Sequence, residues 1–123
     1  MAQTFDLILS GGELVNHDGR GQRDIGISGD TIAAIGDLSR ASAGDRIDCR
    51  GLTILPGVID SQVHFREPGN EHKEDLETGS LAAILGGVTG VFEMPNTAPP
   101  TTSRAAIDDK LARAKGRMHC DYA

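Results

Sequence analysis

Two rhythms along the 123 residues predict an α/β fold. In the first third, short apolar runs are broken by Gly and Asp, the pattern of β-hairpins. From about Leu52 onward, strand-like runs alternate with helix-like stretches, which implies parallel strands in a sheet or a barrel. The composition agrees: apolar residues make up 38% and Gly adds 16 more positions, a normal globular content that excludes disordered and collagen-like chains.

Taken in order, Leu7-Ile8-Leu9 and Glu13-Leu14-Val15 flank Gly11-Gly12, and Asp18-Gly19-Arg20-Gly21 is a turn signal. Asp24 to Ser28 and Thr31 to Ile35 read as strands joined through Gly29-Asp30, and Arg46 to Cys49 adds a short one. A sheet of about 50 residues with few large side chains cannot build much of a core alone, so a covering partner is expected. Val58 to His64 follows Pro56-Gly57 as a strand. Glu74 to Leu85 is predicted helical, with Leu76, Leu81, Ile84 and Leu85 on roughly one side and Gly86-Gly87 as its stop. Val88 to Met94 is a second strand, and Pro95 to Pro100 a stiff loop. Ser103 can cap a helix running to about Lys115, where Ile107 and Leu111 lie four apart. Arg117 to Tyr122 reads as the start of a third strand. Two βα units close neither a sheet nor a barrel, so the chain is expected to be the N-terminal piece of a longer protein.

Charge and composition exclude several function classes. Twelve Lys and Arg against 18 Asp and Glu give a net charge of −6, and aromatics are only 3%. Phosphate binding needs clustered cations and base stacking needs aromatic rings, so a nucleic-acid partner is not expected. Cys49 and Cys120 are far apart and form no CxxC, which fits a reducing compartment. Met1 to Asp6 lacks a basic, then apolar, leader pattern, and no apolar run approaches the roughly 18 residues of a membrane span. A cytoplasmic protein is the expectation.

Chemistry concentrates in Pro56 to Gly69. Strand alternation sends Asp60, Gln62, His64 and, just beyond, Arg66 to one face. In a barrel, His64 and Arg66 would stand at the C-terminal mouth, where reactions are carried out. His there can ligate a metal through a neutral ring nitrogen, and Arg can clamp a carboxylate through two parallel hydrogen bonds. The same residues taken alone also fit a hydrogen-bonded core His and a surface Arg.

The surrounding segments resemble the amidohydrolase superfamily and, within it, the dihydroorotases. Three segments carry the resemblance: Val63-His64-Phe65-Arg66-Glu67-Pro68-Gly69; Lys73-Glu74-Asp75 with Thr78-Gly79-Ser80 and Gly86-Gly87-Val88-Thr89; and Met94-Pro95-Asn96-Thr97. It covers essentially the whole chain. It implies the N-terminal part of a (β/α)8 TIM-type barrel preceded by strands of a small β-sandwich, with residues 1–54 in the sandwich portion and 55–123 in the first βα units. It implies His64 as a metal ligand, and Arg66 and Asn96 as contacts to the carboxylate of dihydroorotate or carbamoyl aspartate. The implied cofactor is zinc, as one or two ions. The implied reaction is reversible hydrolysis of a cyclic amide in pyrimidine synthesis, by a homo-oligomer. Allantoinases look similar here but usually carry Asn in place of Arg66, and hydantoinases handle substrates without the ring carboxylate.

One departure matters. The family usually ends its first strand with His-x-His, whereas this chain has Gln62-Val63-His64. An amide oxygen is a weaker zinc ligand than imidazole. Gln62 fits three readings: a weak oxygen ligand of a two-metal site, a group supporting a single metal held mainly by later residues, or the mark of a non-catalytic homologue. The last would be a scaffold for a partner such as a carbamoyltransferase. The family's bridging Lys, two further His and catalytic Asp come from later strands, so the resemblance places no catalytic residue within this chain.

The remaining titratable residues have simpler readings. His17 and His72 are expected to be solvated, and His119 and Cys120 face opposite ways as strand neighbours. The two cysteines read as small apolar residues, Asp60 as a supporting group, and Glu74-Asp75 as acids suited to a helix N-terminus. The cations between Arg104 and Arg117 read as a solvated helix face.

Overall fold

A computed structural model describes residues 4–123; the leader reading at Met1-Ala2-Gln3 lies outside them. The chain forms two compact units, one running to Pro56 and the other Gly57–Ala123. Among the described residues they hold ten strands and two helices, a mixed α/β content dominated by strands. Among the described residues no helix is long and apolar enough to cross a membrane.

The first unit contains two small sheets. One has the order β5-β4-β1-β6, from β1 (Thr4–Ser10), β4 (Asp24–Ser28), β5 (Thr31–Gly36) and β6 (Ser42–Asp48). β4 pairs antiparallel with both β1 and β5, while β6 lies parallel to β1. The other has the order β3-β2-β7, from β2 (Glu13–Asn16), β3 (Gly19–Gln22) and β7 (Thr53–Ile54). Gly29-Asp30 does join a hairpin, but Gly11-Gly12 does not: β1 and β2 belong to different sheets. Gly11 takes the left-handed φ of 73° needed to turn the chain away. The core is as slight as the sequence suggests: Phe5, Ile8 and Leu38, padded by Ala34, Ala41 and Ala43. Gly26 has no Cβ because the Phe5 ring occupies that space, 2.6 Å from where a Cβ would stand. Asp24 ties the unit by accepting from the Gly11 and Leu38 amides at 2.9 and 3.1 Å.

The second unit runs β8 (Val58–Val63), α1 (Leu76–Leu85), β9 (Val88–Glu93), α2 (Arg104–Ala114) and β10 (Asp121–Tyr122). Its sheet has the order β10-β9-β8 with all pairs parallel. This is the parallel arrangement inferred from alternating strands and helices; among the described residues the strands form an open sheet of three. The core is Phe65, Leu76, Val91 and Ala114, with Val63, Ala83, Val88, Met118 and Cys120 packed against it.

Three expectations are corrected. α1 starts at Leu76 rather than Glu74, because Asp75 is its N-cap: the carboxylate accepts from the Thr78 amide at 2.7 Å, and the Thr78 hydroxyl returns to the cap. Its buried face is Leu76, Gly79 and Ser80, while Leu81, Ile84 and Leu85 are exposed. Leu76 is the one member of the predicted stripe that turns inward; the positions three and four residues on carry Gly79 and Ser80, so the rest of the stripe marked the exposed side. The third strand shrinks to Asp121–Tyr122, since Gly116 turns the chain at φ 75° and Arg117 and His119 are drawn toward Glu67 and Ser80. α2 keeps its Ser103 cap, which accepts from the Ala106 amide at 3.2 Å.

Candidate functional site at the strand ends

Parallel strands β8 and β9 end side by side, and the loops that follow them are stitched together by their backbones. The Met94 amide donates to the Val63 carbonyl at 3.0 Å, and the Ala98 amide to the Pro68 carbonyl at 3.0 Å. Gly69, at φ 100°, has no side chain because the Ala98 backbone occupies the space a Cβ would take. Crevices at the carboxyl ends of parallel strands are the usual place for ligands in such folds.

This stitching brings two of the candidate residues into contact. His64, half-buried and the first residue past β8, has its Nδ1 2.9 Å from Oδ1 of Asn96 in the facing loop. Asn96 is held by its neighbours: the Thr97 hydroxyl is buried against the Pro99 carbonyl and the Thr101 hydroxyl at 2.9 and 3.0 Å. Arg66 is exposed in the β8 loop, and among the described residues it has no ion-pair partner. Gln62 is exposed on β8, and its backbone N–H donates to the Asp60 carboxylate at 3.0 Å. Asp60 therefore makes a local bond within its own strand. His17 is exposed and bonds Asn16; His72 and His119 are exposed. Cys49 is buried, and Cys120 is partly buried with its thiol pKa raised by burial.

Two of these side chains carry donor atoms of the kinds that metals take. His64 offers an imidazole nitrogen and Gln62 an amide oxygen, which fits one flank of a divalent-ion site. Among the described residues no three His, Cys, Asp or Glu side chains converge.

Two buried acids were not singled out in the sequence. Glu67 lies one residue beyond Arg66 and is nearly fully buried. It accepts from both terminal nitrogens of Arg117 at 2.8 and 3.0 Å and from the Leu76 amide at 3.2 Å. The Arg117 guanidinium holds its carboxyl below the usual range, although burial opposes the shift. Glu67 thus clamps the β8 loop to the first turn of α1 and to the turn that follows α2. Glu93, the last residue of β9, is paired with Lys110 of α2, and its Oε1 is buried without a partner. Burial raises its pKa against the pull of Lys110. The pair borders a cavity of about 240 Å³ whose walls include Phe65, Leu76, Ile107, Leu111 and Met118. A charged residue closing an otherwise apolar strand was the available signal for Glu93; Glu67 gave none beyond its place in the motif.

Comparison with known proteins places these features in a family. Residues 51–120 match the family described as dihydro-orotase-like. An allantoinase from Rubrobacter xylanophilus is 44% identical over 120 residues, covering 97% of this chain and 26% of that protein. The L-hydantoinase from Arthrobacter aurescens superposes with a TM-score of 0.89 at 36% identity, over 97% of this chain and 27% of its own. A D-aminoacylase studied for its binuclear metal centre is 40% identical over 72% of this chain and 18% of its own, with a TM-score of 0.55. The chain thus spans about a quarter of the length of the allantoinase and the hydantoinase, and less of the D-aminoacylase. It belongs to the dihydro-orotase-like family of the amidohydrolase superfamily.

Proposed function

We propose that the whole protein is a metal-dependent cyclic amidohydrolase whose substrate carries a carboxylate, with dihydroorotate and N-carbamoyl aspartate as the two sides of its reaction. The observation that carries this reading is Arg66, a guanidinium without an ion-pair partner among the described residues, in the loop that also presents His64. An arginine left free at the end of a parallel strand is equipped to take a carboxylate through two hydrogen bonds. Asn96 supplies the amide group that completes the polar surface on the β9 side. Together they would fix the substrate ring and contribute position and specificity rather than proton transfer.

When bound, a divalent ion polarises the scissile carbonyl and makes water acidic enough to furnish hydroxide near neutral pH. His64 would serve as one ligand, Gln62 as a weak neutral one, with the remaining ligands, the catalytic acid–base group and the rest of a (β/α)8 barrel lying outside these 123 residues. One zinc rather than two is the occupancy that Gln62 favours, since amide oxygen binds zinc less tightly than imidazole.

A second reading rests on the allantoinase and hydantoinase relatives: a cyclic amide without a carboxylate. A third, favoured by Gln62, is a non-catalytic subunit that scaffolds a carbamoyltransferase. Assay of the full-length protein against dihydroorotate, carbamoyl aspartate, allantoin and hydantoin, with metal content measured in parallel, separates the three. Turnover of the carboxylated pair with bound zinc supports the proposal. Preference for allantoin or hydantoin supports the second reading, and no turnover with no stoichiometric metal supports the third.

A further inference from the structure

We infer that Asn96 is a positioning residue for His64: its side-chain oxygen selects the tautomer of the imidazole that carries its proton on Nδ1. A neutral imidazole has one N–H and one lone pair, and the bond made by one nitrogen decides the state of the other. Oδ1 of Asn96 lies 2.9 Å from His64 Nδ1 and has no proton to give. Nδ1 is therefore the donor, and Nε2 keeps the lone pair. Free imidazole side chains in water have no such partner, so the choice comes from the fold.

The fold holds both ends of this bond. On one side His64 sits between Val63, packed on the core, and the buried Phe65. On the other, Asn96 sits between the Met94 amide bonded to Val63 and the Thr97 hydroxyl buried against Pro99 and Thr101. The Ala98-to-Pro68 bond ties the two loops together a second time. This division of labour also leaves the Asn96 NH2 to a ligand, so the same side chain can orient His64 with its oxygen and meet a substrate carboxylate or carbonyl with its nitrogen.

The consequence for metal binding rests on the proposed reading of His64 as a ligand; the tautomer itself does not. Partners that fix the ring of a ligating His typically change metal affinity 10–100-fold when removed. The test uses full-length protein with 15N-labelled His, metal-free, at a pH of about 8.5, where imidazole is neutral. The His64 signals are assigned by their loss in His64→Gln. The expected result is a protonated Nδ1 and an unprotonated Nε2 in the parent and in Asn96→Asp, which keeps the oxygen. Asn96→Ala should shift the population toward the Nε2-protonated form and weaken zinc binding by roughly 10–100-fold. A parent with Nε2 protonated, or an unchanged tautomer in Asn96→Ala, overturns the inference. A tautomer shift with unchanged zinc affinity upholds Asn96 as the group that sets the ring and instead overturns His64 as a metal ligand.

Discussion

Glu67 shows how a motif residue can support a site without touching a ligand. It is buried, and its two oxygens are spent on Arg117 and the Leu76 amide. Replacing it with Gln removes a charge-assisted pair while keeping the shape, and should cost about 2 kcal/mol in urea unfolding of the full-length protein. The pH dependence has a definite sign. The folded carboxyl titrates below its ordinary value because of Arg117. Its contribution is therefore complete above the unfolded value of about 4.3 and is lost as pH falls through the lower folded value. The gap in melting temperature between the parent and Glu67→Gln should be constant from about pH 5.5 to 7 and close as pH drops below about 4. A gap that widens on acidification would contradict the clamp. Residue-scale legibility was uneven. His64 and Asn96 were named from the sequence, but their direct bond was not, because it joins positions 32 apart across two loops. Glu67 and Arg117, 50 apart, escaped for the same reason.

At the scale of elements, α1 is set by its small residues. Gly79 faces the core, where an added Cβ would meet the Phe65 ring at 2.5 Å and the Glu74 carboxyl carbon at 3.1 Å. On helix propensity alone Gly79→Ala should stabilise by about 1 kcal/mol. Packing predicts the opposite sign: the Phe65 ring must move, and overpacking of this kind typically costs about 1–3 kcal/mol. Chemical denaturation of the full-length variant decides between them, and a gain in stability would show that Phe65 yields freely. Because Phe65 lies between His64 and Arg66, a shifted ring should also lower affinity for a carboxylated ligand. The sequence pattern revealed both helices and the parallel strands, since strand and helix periods differ plainly in this stretch. It misassigned the α1 face because exposed leucines outnumber buried ones there. Leu81, Ile84 and Leu85 form the conspicuous stripe, while the inward face is built from one Leu with Gly and Ser.

At the scale of the molecule, the second unit leaves many large apolar side chains open. Ile59 of β8 is 65% exposed and Leu85 of α1 is 80% exposed, with Phe92, Ile107, Leu111 and Tyr122 also open. Sheet and helix surfaces of this kind are expected to be covered by further structure or by another molecule. The 123-residue chain expressed alone should therefore self-associate, with a light-scattering mass well above 12.9 kDa. A monodisperse monomer that unfolds cooperatively would contradict this reading. Composition and periodicity pointed to no reaction; the proposed reaction and substrate came from resemblance, since among the described residues no three His, Cys, Asp or Glu side chains converge.

The central claim is that the protein acts on a carboxylated cyclic amide through Arg66. The direct measurement is kcat/KM of the full-length protein and of Arg66→Met for dihydroorotate beside allantoin. The parent should prefer dihydroorotate, and Arg66→Met should lose roughly 10–100-fold on that substrate, the worth of a charge-assisted pair, while its low rate on allantoin stays unchanged. A parent that prefers allantoin, or an Arg66→Met variant that treats dihydroorotate as the parent does, would contradict it.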